Sequence, residues 1–219
     1  MKAVIFDFNG TLFFDSDINE WAWRQTINEL SDNKIDFDKV YQEYKSVRNY
    51  LFVKNVFIKL GYELDDEKIN YWVKRKETKY YHQFCYENNR KDLAPGAKKL
   101  LNYLKDNNIP INLCTSSIIE NINLYFDYIG IGEWFNKDII VYDDGNFDNK
   151  IKMYQKAADN INTNIKDCLV FEDSTKSIKE AIEAGCNNIV AIHNDVVLPE
   201  IKQNINDFKE FDYSLLWKN

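Results

Sequence analysis

The sequence predicts an α/β protein with a parallel sheet and a long helical segment inserted after the first strand. Three observations support this prediction. Five short apolar runs are spaced along the chain, segments with helical periodicity separate the last four, and a long stretch without strand signal follows the first. Strands that alternate with helices are joined by right-handed crossovers, which place them side by side in a parallel sheet.

The apolar runs have the length of buried strands, and strands of a parallel sheet are apolar on both faces. The predicted strands cover residues 2–8, 111–116, 138–142, 168–173 and 188–193. In an open parallel sheet, ligands bind beyond the carboxyl ends of the strands. Polar residues at those ends are therefore the first candidates for a functional site.

Four helices are predicted to accompany the later strands. Ser174 is a good N-cap and Gly185 a good C-cap, so the segment between them is predicted to be one helix. Pro95 suits the first turn of another helix. The remaining two follow residues 116–117 and cover residues 150–160.

The stretch after the first strand is predicted to be a helical module. Its candidate helices cover residues 17–30, 48–60 and 66–86. No strand pattern interrupts them, so the simplest organisation is a helical cap inserted into an α/β core. We predict a core formed by residues 1–15 and 92–219 and a cap formed by residues 16–91.

The composition excludes several classes of protein. The chain has 219 residues and a formal net charge of -7, which argues against duplex nucleic acid or an anionic membrane as a partner. No run approaches the roughly 20 apolar residues of a membrane span, and the amino-terminal run is too short for a secretion signal. The four cysteines form no CxxC pair, which favours reduced thiols. We therefore expect a cytoplasmic protein, monomeric or weakly dimeric.

Carboxylates, hydroxyls and one lysine stand at the carboxyl ends of the predicted strands. The residues at these ends are Asp7, Thr115, Ser116, Glu172 and Asp173, and Lys150 follows the third predicted strand. Carboxylates that converge on one point repel each other unless a cation joins them. Oxygen ligands without His or Cys suit Mg²⁺, so we expect a Mg²⁺ site at this edge of the sheet.

A metal of this kind would attract a phosphate group. Thr115, backbone N–H groups beyond it and Lys150 would hold the phosphate oxygens. A carboxylate in line with the phosphorus can attack it to give an aspartyl phosphate. Asp7 is the best candidate for this nucleophile, because Gly10 and Thr11 let the chain turn closely around it.

These residues resemble a known family. The segments FDFNGTL, LCTSS and VFEDSTKSIKEAIEAG, together with Lys150, are similar to the motifs of the haloacid dehalogenase superfamily of phosphohydrolases and phosphomutases. The resemblance is strongest to the branch with β-phosphoglucomutase-like enzymes and spans the whole chain. It implies a Rossmann-like core with a helical cap inserted after the first motif.

The resemblance also implies roles for individual residues. Asp7 would be the nucleophile and a Mg²⁺ ligand, the backbone carbonyl of Asn9 a second ligand, and Asp173 a third with Glu172 close by. Thr115, followed by Ser116, would bind the phosphoryl group. Lys150 would neutralise the nucleophile and the phosphate, with Lys152 as a weaker alternative.

Position 9 departs from the family pattern. The family usually has a second aspartate there, which protonates the leaving group and later activates water. Here the residue is Asn9, whose amide cannot exchange a proton in that way. Metal-free dehalogenases also lack this aspartate, but the Glu172–Asp173 pair argues against that activity. Phosphonatases use a lysine in the cap, and nothing singles out Lys54 for that role.

The sequence favours a Mg²⁺-dependent phosphatase that acts on a small phosphorylated metabolite through an aspartyl phosphate. Two alternatives stay open. One is a catalytically weak protein that binds phosphate and metal but lacks the acid–base aspartate. The other is a phosphoglucomutase-like phosphoryl transferase, which the pattern disfavours because Asn19 or Glu20 stands where that branch usually has a histidine.

Overall fold

The computed structural model describes residues 1–44 and 47–216. Contacts along the chain divide it into two compact units, one formed by Met1–Phe14 with Asp92–Asn219 and the other by Asp15–Lys91. The division into a core and a cap domain at residues 15/16 and 91/92 stays a prediction. Among the described residues, none of the helices combines the length and apolar character that a membrane span needs.

The first unit contains a parallel sheet of five strands among the described residues. The strands are β1 (Ala3–Phe6), β2 (Ile111–Leu113), β3 (Cys168–Glu172), β4 (Ile189–Ile192) and β5 (Ile201–Ile205). Their order is β2-β1-β3-β4-β5, and each pair runs parallel. The predicted α/β fold is confirmed, and β1 lies between β2 and β3 with all four of its residues buried.

The prediction of a strand at 138–142 is wrong. Only Val141 pairs with β2 and the residues that follow it: its N–H donates to Leu113 O, and Thr115 N–H donates to Val141 O, both at 2.9 Å. Ile139 N–H bonds back to Asn136 O at 3.2 Å, so the segment begins in a turn. Ile140 and Val141 are buried, and Ile139 is half-buried, although the segment does not form an extended strand.

The sequence pattern did not indicate β5. Lys202, Gln203 and Asn204 occupy the middle of this strand, and its residues alternate between half-buried and exposed before the buried Ile205. Such an edge strand buries little apolar surface, so it lacks the continuous apolar run of the central strands.

The second unit is helical, as predicted. Its α-helices are α1 (Ser16–Ser31), α2 (Phe37–Tyr44), α3 (Asn49–Leu60), α4 (Asp66–Arg75) and α5 (His82–Glu87). A π-helical segment, Lys76–Tyr81, joins α4 to α5. Gly61 ends α3 with a φ of 69°, a left-handed conformation that glycine adopts without strain. The sequence pattern did not indicate α2, which buries only Phe37 and Val40.

The helices of the first unit agree with the predicted segments. They are α6 (Ala97–Asp106), α7 (Ile119–Leu124), α8 (Lys150–Asp159) and α9 (Thr175–Glu183). A π-helical segment, Tyr125–Ile129, continues α7, and short 3₁₀ turns cover Ile131–Glu133, Ile165–Asp167, Phe208–Glu210 and Tyr213–Leu216. Ser174 caps α9 as predicted, since its side chain accepts the N–H of Ser177.

One helix matters most for the site. Met153, Tyr154 and Ala157 of α8 are buried in the same apolar cluster as Ile5 of β1 and Val170 of β3. Burying a large apolar side chain contributes about 1.5–3 kcal/mol. This packing fixes the first turn of α8 beside the carboxyl ends of the two central strands.

Candidate active site

The central strand positions Asp7 at the sheet edge. Asp7 directly follows β1, and its N–H still donates to Phe171 O of β3 at 3.0 Å. Its side chain is buried, with the residue only 4% exposed. The carboxylate is therefore fixed in position by the pairing of β1 with β3.

Lys150 lies against this carboxylate. It is the first residue of α8, whose N-terminus is capped by Asn149. Its Nζ donates to Asp7 Oδ1 at 2.6 Å and to Glu172 Oε2 at 2.9 Å, and all three side chains are buried. Lys152, the alternative from the sequence, is exposed. The structure thus brings Lys150, and not Lys152, to the carboxylates.

Glu172 is held by hydrogen bonds on both oxygens. Besides Lys150, its Oε2 accepts the hydroxyl of Tyr154 at 2.5 Å. Its Oε1 accepts the N–H groups of Asp173 at 3.2 Å and Ser174 at 3.0 Å. Burial alone would raise the pKa of Glu172, but Lys150 and these donors hold that pKa below its usual value. Glu172 is therefore a fixed anion that orients Lys150.

Asp173 is half-buried and lies against the turn after β1. Thr11 Oγ1 donates to Asp173 Oδ1 at 3.4 Å, and Asn194 Nδ2 donates to Asp173 O at 2.7 Å. Gly10 has a φ of 77°, and a Cβ atom there would come within 2.2 Å of Asp173 Oδ2. Only glycine therefore allows the turn to approach this carboxylate so closely.

The three carboxyl groups are crowded. Burial and the nearby Glu172 raise the pKa of Asp7 to about 7, although Lys150 opposes this shift. Burial, Glu172 and Asp7 raise the pKa of Asp173 to about 9. One lysine does not compensate three buried or half-buried carboxylates, and a divalent cation would lower both pKa values.

The geometry of these groups fits such a cation. Asp7, Glu172 and Asp173 each offer an oxygen, and these three atoms lie within 4.8 Å of one another. A set of hard oxygen donors suits Mg²⁺. The contribution of the Asn9 carbonyl to such a site stays a prediction.

The predicted phosphate-binding residues follow β2. Thr115 is buried, and its Oγ1 donates to Ser117 Oγ and accepts the Ser117 N–H, both at 3.2 Å. Ser116 is exposed. Thr115 is thus part of a hydroxyl cluster at the sheet edge, and the binding of phosphate by Thr115 and Ser116 stays a prediction.

The side chain of Asn9 belongs to the same cluster. Its Oδ1 accepts the Ser117 hydroxyl at 2.7 Å and the Tyr125 hydroxyl at 2.9 Å. Tyr125 is fully buried, and its ring stacks on Phe8 with centroids 3.9 Å apart. The amide at position 9 is therefore held by two hydroxyl groups from a different part of the chain.

Sequence reasoning assigned no role to Ser117, Tyr125 or Tyr154. Tyr154 lies four residues after Lys150 on the same helix, a spacing that places both on one face and that could have revealed it. Ser117 directly follows the predicted Thr115 and Ser116. Tyr125 lies in a π-helical segment, for which the sequence has no comparable signal.

Known proteins resemble this chain over nearly its whole length. A family model described as haloacid dehalogenase-like hydrolase matches residues 1–185. A Bacillus subtilis protein named "Putative phosphatase YhcW" is 23% identical over 222 residues, which are 99% of this chain and 96% of that protein.

Solved structures have the same fold. A haloacid dehalogenase hydrolase of family IA, variant 3, from Entamoeba histolytica has a TM-score of 0.87 at 27% identity, covering 99% of this chain and 97% of its own. β-Phosphoglucomutase from Clostridium difficile has a TM-score of 0.79 at 22% identity, covering 99% and 96%. The similarity to the Entamoeba histolytica hydrolase supports membership of the same family, whereas the similarity to β-phosphoglucomutase shows only that the fold is the same.

Proposed function

The chain belongs to the haloacid dehalogenase-like hydrolases, and we propose that it is a Mg²⁺-dependent phosphatase of a small phosphorylated metabolite. One observation carries this proposal. Asp7, Glu172 and Asp173 cluster at the carboxyl ends of β1 and β3, and Lys150 donates hydrogen bonds to the first two. This arrangement combines a nucleophile, a cation site and a fixed positive charge.

The proposed reaction begins with attack by Asp7. Lys150 donates to Oδ1, which orients the carboxylate and leaves Oδ2 as the attacking atom. The phosphoryl group moves to Asp7 as the P–O bond to the leaving oxygen breaks, and the departing alkoxide or phenoxide takes its proton from water. A second water molecule then hydrolyses the aspartyl phosphate, which releases inorganic phosphate and restores Asp7. Asp7, Asp173 and the Asn9 carbonyl would hold Mg²⁺, whose chemistry would be to offset the negative charge of the phosphate.

Two groups stabilise this reaction without taking part in bond formation. Lys150 remains charged, since Asp7 and Glu172 raise its pKa even though burial lowers it. Its charge would offset negative charge on the transferred phosphoryl group. Both oxygens of Glu172 already accept hydrogen bonds, so direct binding of the metal by Glu172 is disfavoured. Its proposed role is to hold Lys150, or a water molecule that is itself a metal ligand.

A panel of phosphate esters tests this proposal. Inorganic phosphate release should be measured in Mg²⁺ with acyl, aryl and alkyl phosphates, including hexose phosphates. We expect turnover of at least one class. Binding of phosphate and Mg²⁺ without any turnover would instead support the second candidate, a weak or inactive binding protein. The presence of Asn9 in place of an acid–base aspartate favours this candidate.

Removing the proposed metal ligand should reduce activity strongly. We expect Asp173→Asn to need a much higher Mg²⁺ concentration for half-maximal rate, because direct carboxylate ligands dominate Mg²⁺ binding. Asp167→Asn is a matched control, since Asp167 precedes the amino end of β3 and pairs with Lys2 at 3.0 Å. Full activity of the EDTA-treated wild type would show that the metal assignment is wrong.

Lys150→Met should lower kcat by at least about 100-fold, because it removes a preorganised positive charge. Lys152→Met is the matched control and should have a kcat close to that of the wild type, since Lys152 is exposed.

Lys150→Met also leaves two buried carboxylates without their ammonium partner, which should lower the free energy of unfolding by about 3–5 kcal/mol. Urea denaturation separates this loss from the loss of rate, and equal kcat values for the two variants would contradict the role of Lys150.

A further inference from the structure

Tyr154 connects Glu172 to helix α8. Its ring is fully buried in the apolar cluster that packs α8 against β1 and β3, so its hydroxyl has a fixed position. That hydroxyl donates to Glu172 Oε2 at 2.5 Å, and Lys150 Nζ lies 5.8 Å from the centre of the tyrosine ring. Tyr154 therefore contacts both the carboxylate and the ammonium group that lie beside Asp7.

Glu172 accepts hydrogen bonds on both sides of both oxygens. A carboxylate has about four acceptor positions. Lys150 and Tyr154 donate to Oε2, and the N–H groups of Asp173 and Ser174 donate to Oε1. Two of these donors belong to the backbone and one is the charge partner of Asp7, so the Tyr154 hydroxyl is the donor that a substitution can remove alone.

The position of Glu172 gives these hydrogen bonds a consequence for metal binding. One of its oxygens lies within 4.8 Å of oxygens of Asp7 and Asp173, so Glu172 is close enough to become a third carboxylate ligand of a cation bound there. We propose that Tyr154 is a positioning residue that keeps Glu172 from contacting this cation, and that the site thereby favours Mg²⁺ over Ca²⁺. This inference rests on the proposed function, because it concerns the Mg²⁺ site of that proposal.

The two cations differ in the protein ligands that they accept. Mg²⁺ requires near-octahedral geometry, keeps several water ligands and is bound by one or two carboxylates, whereas Ca²⁺ takes about 6–8 oxygen ligands in a flexible geometry. A third carboxylate ligand therefore benefits Ca²⁺ more than Mg²⁺. The charge of Glu172 is present with or without the Tyr154 hydroxyl, so only its ability to contact the cation changes.

Isothermal titration calorimetry of the substrate-free protein, with Mg²⁺ and Ca²⁺ as separate ligands, tests this inference. Tyr154→Phe keeps the ring in the apolar cluster and opens one acceptor position on Glu172. We expect this variant to bind Ca²⁺ about 10-fold more tightly than the wild type, because the number of charged ligands sets Ca²⁺ affinity, and to keep the wild-type Kd for Mg²⁺. Tyr103→Phe is the matched control and should change neither Kd, since Tyr103 lies in the last turn of α6, before the amino end of β2.

A second background shows whether Tyr154 acts through Glu172. In Glu172→Gln the third carboxylate is absent, so adding Tyr154→Phe should leave the Kd for Ca²⁺ unchanged. If Tyr154→Phe fails to fold, Tyr154→Met makes the same comparison, because methionine also packs in an apolar cluster and has no hydroxyl.

A merely structural role for Tyr154 gives a different result, because a disturbed site would bind both cations more weakly by a similar factor. That result, an unchanged ratio of the two Kd values, or a gain in Ca²⁺ affinity that persists in Glu172→Gln would overturn the inference and leave the phosphatase function intact. The expected gain in Tyr154→Phe without turnover of any ester by the wild type would support the inference and overturn only the phosphatase function. Failure of the wild type to bind either cation would overturn the inference together with the proposed Mg²⁺ site.

Discussion

Asp7→Asn should abolish turnover of every phosphate ester while the protein stays folded. An amide is not nucleophilic enough to attack phosphorus, so no phosphoryl group is transferred from the substrate. In the structure Asp7 is buried and receives its hydrogen bond from Lys150 Nζ, which also binds Glu172. Lys150 therefore keeps one carboxylate partner in this variant.

The stability of this variant can also be predicted. Burial and Glu172 raise the pKa of Asp7 to about 7, above its value in the unfolded chain. When no cation is bound, this shift lowers the stability of the fold progressively as the pH rises from about 4 to about 7, and the loss is complete above about 7. A neutral amide removes this unfavourable contribution. Asp7→Asn without Mg²⁺ should thus have a Tm equal to or above that of the wild type at pH 8, as measured by calorimetry.

Trapping provides an independent measurement of the same role. The wild type in Mg²⁺ should bind BeF₃⁻ as an analogue of the aspartyl phosphate, and ¹⁹F NMR should detect the adduct. Asp7→Asn should form none, whereas the control Asp167→Asn should form it normally. Normal turnover or a normal adduct in Asp7→Asn would require a different nucleophile and would end this mechanism.

The sequence was informative where apolar runs end in polar residues. Asp7 and Glu172 could be expected to lie close together because each ends a buried strand, and strands of one parallel sheet share the same carboxyl edge. Helix caps such as Ser174 were predictable because they depend on residues close in sequence. These features follow from local patterns combined with one rule of topology.

Other features depend on contacts that no local pattern encodes. The segment 138–142 is as apolar as a strand, yet it bends and makes a single pair of bonds at Val141. The amide at Asn9 meets Tyr125, which is 116 residues away along the chain. Such a contact depends on the path of α7 and its π-helical continuation, so only the folded structure reveals it.

Asn9→Asp should accelerate the hydrolysis of alkyl phosphates. An amide can donate a hydrogen bond but cannot give up a proton, whereas a carboxylic acid can protonate the departing alkoxide. General acid–base catalysis is typically worth about 10²–10⁴-fold, which sets the upper limit for the gain in kcat/KM. Aryl and acyl phosphates have good leaving groups, so their phosphoryl-transfer step should change little.

The surroundings of position 9 favour this substitution. Asp and Asn have the same shape, and the hydroxyls of Ser117 and Tyr125 can donate to a carboxylate oxygen as they do to Asn9 Oδ1. The variant should therefore keep the position of the side chain and change only its chemistry. Measurements of kcat/KM on matched alkyl and aryl esters would give the gain directly.

One control decides whether this comparison is valid. Asn9 precedes Gly10, and deamidation at such a pair would produce the acid in aged samples of the wild type. Intact-mass spectrometry of fresh protein, which detects the change in mass, must therefore accompany the kinetics. If undeamidated wild type hydrolyses alkyl phosphates as fast as Asn9→Asp, another group supplies the proton, because the amide alone cannot account for that rate.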